Sequence, residues 1–188
     1  MQKTWKEIRS EVINLGFEKE KSYDKYKDSF LSAFNWALIY IATSISPIYA
    51  EAEFTAYDTA EEFTGYGREV LVGRVALNDI CPEFYKFIEV TSEDGTASVL
   101  VENGNLWTTK SGKYTVKYYK YPKVCGGEDD YACEIDYAYA NIIAYLVAHR
   151  VWMDDDMSKS VLYWNTFEDL KNQLTTTNPG ITVSRGWI

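Results

Sequence analysis

Hydrophobic and polar positions change period twice along this chain. Near the N-terminus the pattern is helical. Thr4 opens "TWKE", a capping box in which the Thr4 hydroxyl accepts from the Glu7 backbone and Glu7 reaches back. The pattern predicts a short helix over about 5 to 14, ended at Gly16. Ser22 is the expected cap of a second, longer helix. On it Tyr26, Phe30, Phe34, Leu38, Ile41 and Ile45 recur at spacings of three and four, and Pro47 stops it.

From residue 52 the helical period gives way to short alternating runs. "REVLVGRVAL" (68–77), "FYKFIEVTS" (84–92), "TASVLVENG" (96–104), "NLWTT" (105–109) and "KYTVKYYKYP" (113–122) read as strands rich in Val, Thr, Tyr and Phe. The last places Tyr114, Val116 and Tyr118 on one face and Thr115, Lys117 and Tyr119 on the other. "EDGT", "ENGN" and "KSGK" are the glycine-bearing turns between them, and "GYGRE" (65–69) reads as a turn rather than a phosphate loop. After the loop "CGGEDDYACE" (125–134) the helical period returns. Tyr139, Ile142, Ile143, Leu146, Val147, Arg150 and Val151 form one stripe, and Tyr163, Phe167, Leu170 and Leu174 another.

The expected fold class is therefore α+β: a helical bundle made by the N- and C-terminal helices, with a small antiparallel β-sandwich, jelly-roll-like, inserted between them. The expected parts are N-terminal helices over 1–50, the β module over 52–122, a C-terminal helix hairpin over 134–175 and an extended arm over 176–188.

Composition narrows the function classes. A chain of 188 residues with 46% hydrophobic residues can bury a core in one domain carrying an insertion. A formal net charge of -9 argues against a nucleic-acid-binding face. The N-terminus has no apolar signal-peptide core, and the run "FNWALIYIA" (34–42) is too short to span a bilayer, so no membrane partner is expected. Three cysteines and one histidine suggest a reduced compartment, with Cys125 and Cys133 as free thiols; a disulfide between them stays the alternative.

The candidate chemistry is thin. Asp154, Asp155 and Asp156 invite a calcium reading. A calcium loop counted from Asp154 would need Gly and Glu where Lys159 and Asn165 stand, so the triplet reads as the turn and N-cap of the last helix. His149 has no recognisable nucleophile motif beside it. No catalytic residue, metal ligand or cofactor is expected. The 16 Tyr and the Trp residues suit surfaces that assembly buries. Trp152, Trp164, Phe167, Trp187 and Ile188 are the expected subunit-interface residues. The strand tyrosines leave open a glycan-binding β-sandwich module of a baseplate or surface protein.

Two stretches carry a resemblance. "TWKEIRSEVINLGFEKEKSYDKYKDSFLSAFNWAL", and "GKYTVKYYKYPKV" followed by "AYLVAHRVWMDDDMSKSVLYWNTFEDL", resemble virion structural proteins of the head–tail connector or adaptor (neck) type in tailed bacteriophages. Those proteins pass from a strand ending in Tyr-x-Pro to a helix, an Asp-bearing turn and a helix with an Asn-x-Phe/Tyr-Glu element, here Asn165, Phe167 and Glu168. The resemblance implies a non-enzymatic subunit of a homo-oligomeric ring, commonly of twelve copies, between the portal and the tail or neck proteins. It implies a helical bundle docked to the portal, termini strapped onto neighbours, and assembly in the host cytoplasm into the virion. DNA would pass through the lumen without sequence-specific binding, and the acidic subunit suits that passage. The β module departs from the smallest connectors, which are nearly all helix.

Overall fold

The structure is a computed structural model that describes residues 2–16, 20–64 and 70–177, with side chains described over 2–16, 26–58 and 73–175. In chain order the elements are α1 (Trp5–Asn14), α2 (Glu20–Ser44), β1 (Ile48–Thr64), β2 (Val70–Ala76), α3 (Leu77–Ile80), β3 (Phe84–Ser92), β4 (Gly95–Thr96), β5 (Val99–Glu102), β6 (Asn105–Thr108), β7 (Gly112–Lys120), α4 (Tyr137–Ala140), α5 (Ile143–Trp152) and α6 (Met157–Thr177). The chain is thus mixed helix and antiparallel strand. It divides into two compact units, 1–47 with 122–188, and 48–121.

The first unit is helical. Thr4 and Glu7 form the capping box of α1, with the Glu7 carboxylate 2.8 Å from the Thr4 amide. Trp5, Ile8 and Val12 are buried along its inner face. Ser22 lies inside α2, which starts at Glu20. Glu and Lys there are better helix formers than Ser. Phe30, Phe34, Leu38 and Ile41 are the buried stripe of α2, with Ile45 buried just past its end, and α2 packs on α5, whose buried face carries Ile143, Leu146, Val147 and Val151. The expected helix after residue 134 is broken. Asp136 caps the single turn α4, and α5 begins anew at Ile143. The loop before α4 is pinned to the N-terminus. The Trp5 amide donates to the Tyr131 carbonyl, the Cys133 amide to the Lys3 carbonyl, and Arg9 pairs with Asp129 at 2.7 Å. Asn35 both donates to and accepts from the Cys125 backbone. Cys81, Cys125 and Cys133 are all free and buried.

Among the described residues the second unit is one antiparallel sheet of seven strands, in the order β4-β3-β7-β1-β2-β6-β5. The sequence predicts five or six strands and omits β1, the longest at 17 residues. "IYAEAEFTAYDTAEEFT" alternates by twos, but with Ala and Glu, residues whose local preference is helical. Tertiary pairing overrides that preference. Residues 48–56 of β1 pair with β7, and the stretch from Tyr57 onward pairs with β2, so this strand joins the two halves of the sheet. The sheet curls around a shared core drawn from both halves: Phe54, Leu77, Cys81, Val90, Leu106, Tyr114, Val116 and Tyr118. Phe54 stacks on its register partner Tyr114 at 5.4 Å. β5 and β6 join through Asn103 and Gly104, both at positive φ. This is the hairpin turn that an Asn-Gly pair favours.

Candidate functional site

The second helix of the first unit has two apolar stripes. One, through Phe30, Phe34, Ala37, Leu38 and Ile41, is buried. Trp36, Ile39 and Tyr40 lie off that stripe, at spacings that place them together on an outer flank. The Trp36 and Tyr40 rings stack at 5.6 Å. His149 of α5 lies 6.4 Å from Trp36 and 5.1 Å from Trp164 of α6, and Trp164 lies 6.1 Å from Tyr40. Three helices thus supply one half-buried aromatic cluster, Trp36, Tyr40, His149 and Trp164. The Arg150 guanidinium sits 5.7 Å over the Trp36 ring. Along α6, Met157 and Val161 continue the stripe that Trp164 begins, at helical spacing. Met157 and Val161 are 60% and 48% exposed, and Leu162 beside them is exposed too. Half-buried aromatics flanked by exposed aliphatics are the surface chemistry of protein–protein contact.

His149 holds the cluster in place. Its Nδ1 lies 2.9 Å from the Ser160 hydroxyl oxygen and 3.0 Å from the Ser160 carbonyl. The Ser160 hydroxyl donates to the His149 carbonyl at 3.1 Å. The Ser160 carbonyl can only accept, so Nδ1 carries a proton and donates to Ser160. A serine and a histidine at this distance have the spacing of a nucleophile and its base. Here Ser160 is fully buried and its proton is directed to a backbone carbonyl, so the pair locks α5 to α6. Among the described residues no group of three or more His, Cys, Asp or Glu is placed to hold a metal ion.

The aspartate triplet divides its roles. Asp154 and Asp155 lie in the turn, with the Asp155 and Asp156 amides donating to the Trp152 carbonyl. Asp156 alone caps α6, its carboxylate accepting from the Ser158 and Lys159 amides at 3.1 and 3.2 Å. Trp152 is half-buried and carries the Lys159 ammonium 3.9 Å over its ring. Phe167 corrects the expected interface set. It is completely buried, 6.2 Å from Trp164, so its surface is already taken up inside its own unit. Trp187, Ile188 and the turn at 65–69 lie outside the described residues, as does the arm beyond Thr177; residues 176 and 177 belong to α6. The sequence reading missed Trp36, Tyr40 and Ser160. The signal that could have found the first two was their four-residue spacing, out of step with Phe34 and Leu38.

Among the described residues, no helix is long and apolar enough to cross a membrane. Comparison with protein-family models finds no match, and comparison with curated proteins finds none either.

Proposed function

We propose that this chain is a non-enzymatic structural subunit of a phage virion, which assembles with copies of itself into a connector ring between portal and tail. The observation that carries the assembly reading is the apolar flank of α2 and α6: Trp36, Tyr40 and Trp164 half-buried, with Met157, Val161 and Leu162 exposed beside them. Aromatic anchors ringed by aliphatic surface give most of the binding energy at subunit contacts. The placement of the ring rests on the resemblance of "GKYTVKYYKYPKV" and "AYLVAHRVWMDDDMSKSVLYWNTFEDL" to connector proteins. In this reading the helical unit is the bundle that faces the portal and neighbouring subunits. The curled sheet is an inserted sandwich-like module, and the C-terminal arm straps a neighbour. The net charge of -9 keeps the lumen from holding DNA as it slides past.

The test is assembly mass by light scattering over a concentration series, for the chain alone and with a phage portal protein. A closed oligomer is expected under at least one condition. The paired change Val161→Glu with Leu162→Lys, at two exposed positions, should abolish it while leaving the circular dichroism unchanged. Removal of 178–188 should weaken it. A strict monomer under both conditions, or an oligomer indifferent to the paired change, would overturn the reading.

A further inference from the structure

The sheet has an outer face that no part of the core uses. On β1, β7 and β3 the positions that alternate with Phe54, Tyr114 and Val116 are polar and stand in cross-strand rows. Glu51 is opposite Lys117 and Lys117 opposite Glu89; Glu53 is opposite Thr115 and Thr115 opposite Thr91; Thr55 is opposite Lys113. Glu53, Thr55, Thr91, Glu93, Lys113 and Thr115 line a cleft of about 620 Å³ on this face, together with Phe54, Ser92 and Tyr114. A second, of about 370 Å³, shares Glu93 and Lys113 with it and runs on to Thr96 and Ser111. Together they make an extended groove in the size range of small-molecule sites.

The chemistry of the lining selects a ligand class. β7 is paired on both sides, with β1 and β3, and Thr91 lies between β7 and β4, so a peptide strand cannot add at Lys113, Thr115 or Thr91; side chains must do the recognising there. Among the described residues Glu53, Thr55, Thr91, Glu93, Lys113 and Thr115 make no side-chain hydrogen bond or ion pair of their own. Three threonine hydroxyls can donate or accept, two carboxylates only accept, and one ammonium only donates. Over the whole groove Glu53, Glu93 and Asp94 stand against Lys110 and Lys113, a net negative charge that disfavours a phosphate or another anion. Phe54 and Tyr114, the aromatic residues of the lining, are buried in the core behind it, so the cleft offers little apolar surface to an apolar small molecule. What fits is a neutral ligand that donates and accepts at many points. At the far end of the same face Tyr49, half exposed, stands opposite Tyr119. Their rings can stack against the apolar face of a sugar ring. Thr115 and Tyr119 are four residues apart on one strand, roughly 13 Å, so the site suits a chain of linked rings more than a single one.

We propose that the outer face of β1, β7 and β3 is a binding site for a neutral oligosaccharide. The site stands on the second unit alone and does not depend on ring assembly. The test is calorimetric titration of the full chain with maltotetraose, cellotetraose and N-acetylchitotetraose, with an oligogalacturonate of equal length as the charged comparison. Saturable binding of at least one neutral tetrasaccharide is expected, weakened about tenfold or more by Thr91→Val with Thr115→Val, as removal of two hydrogen-bonding hydroxyls requires. These β-branched replacements keep shape and strand preference. Lys113→Met, at an exposed position, provides a second variant that leaves the core untouched. The proposal is overturned by no saturable binding to any of the three neutral sugars, by binding that both variants leave intact, or by preference for the oligogalacturonate.

Discussion

Gly73 is where a single methyl group should do the most damage. It lies on β2, opposite Thr108 of β6. A Cβ at Gly73 would sit 2.2 Å from the Thr108 hydroxyl oxygen, 2.6 Å from the Lys110 carbonyl oxygen and 3.2 Å from the Ala56 methyl. The space is filled by a small polar network. The Thr108 hydroxyl, fully buried, donates to the Lys110 carbonyl at 2.7 Å, and the Tyr114 hydroxyl donates to the same carbonyl at 2.8 Å. Gly73→Ala therefore carries two costs. Overpacking against backbone costs about 1–3 kcal/mol. Displacing the Thr108 hydroxyl from its acceptor leaves a buried polar group unsatisfied, about 1–3 kcal/mol more. A loss of roughly 3 kcal/mol or more is expected. Equilibrium urea denaturation measures it, with hydrogen exchange of the β6 amides to separate the sheet unit from the helical one. Thr108→Ala should recover part of the loss, because it removes the nearest clash but not the carbonyl, giving a coupling of about 1 kcal/mol in the double-mutant cycle. A Gly73→Ala protein within about 0.5 kcal/mol of the parent, or a coupling near zero, would refute this account of the site.

Phe167→Ala should cost about 3–5 kcal/mol in urea denaturation, because the ring is fully buried and leaves a cavity behind α6. Asp156→Ala should cost about 1 kcal/mol by loss of the α6 cap, whereas Asp154→Ala and Asp155→Ala should each stay within about 0.5 kcal/mol; equal losses at all three would contradict the division of roles. Burial pushes the Cys81 thiol from 9.0 up to about 11 and the Cys133 thiol up to about 12. A folded-state value raised above the unfolded one contributes stability that is whole below pH 9 and is lost as pH rises through the folded value. The urea midpoint should therefore fall between pH 9 and about 11, and less steeply in Cys81→Ala; a flat midpoint over that window would count against it.

Much of the fold was legible because burial imposes a period. The α2 stripe from Phe30 to Ile41 and the β7 alternation of Tyr114, Val116 and Tyr118 both emerge buried. These are positions where side-chain spacing alone decides which face meets the core. β1 was illegible for the converse reason. Its inner face is Ala50, Ala52 and Ala56 around the single ring of Phe54, and its outer face is Glu51, Glu53 and Thr55 after Tyr49. A strand whose inward residues are mostly alanines carries little hydrophobic contrast, and its identity comes from β7 and β2 on either side. Neither face of such a strand stands out from its own residues, and the β7 partner lies far along the chain, so no short window could reveal it.

The aromatic flank shows the same limit from the other side. "FNWALIYIA" reads as almost uniformly apolar, and a uniformly apolar run is expected to be buried throughout. In the structure Phe34, Ala37, Leu38 and Ile41 are buried, while Trp36 and Tyr40 are half-exposed and Ile39 is exposed. The described helices that cover α2 within its unit do not wrap it, and the side left over keeps the chemistry of a core without the cover of one. Local pattern can say that a residue prefers burial; it cannot say which molecule supplies the cover. In the proposed assembly Trp36, Tyr40 and Trp164 are residues that a second molecule buries. Phe167, one turn from Trp164 on the same helix, is one that the chain buries itself. A sequence reading groups Trp164 with Phe167 because both are aromatic and three residues apart. Their difference is the direction each faces around α6, which only the packing of α5 and α2 against it sets.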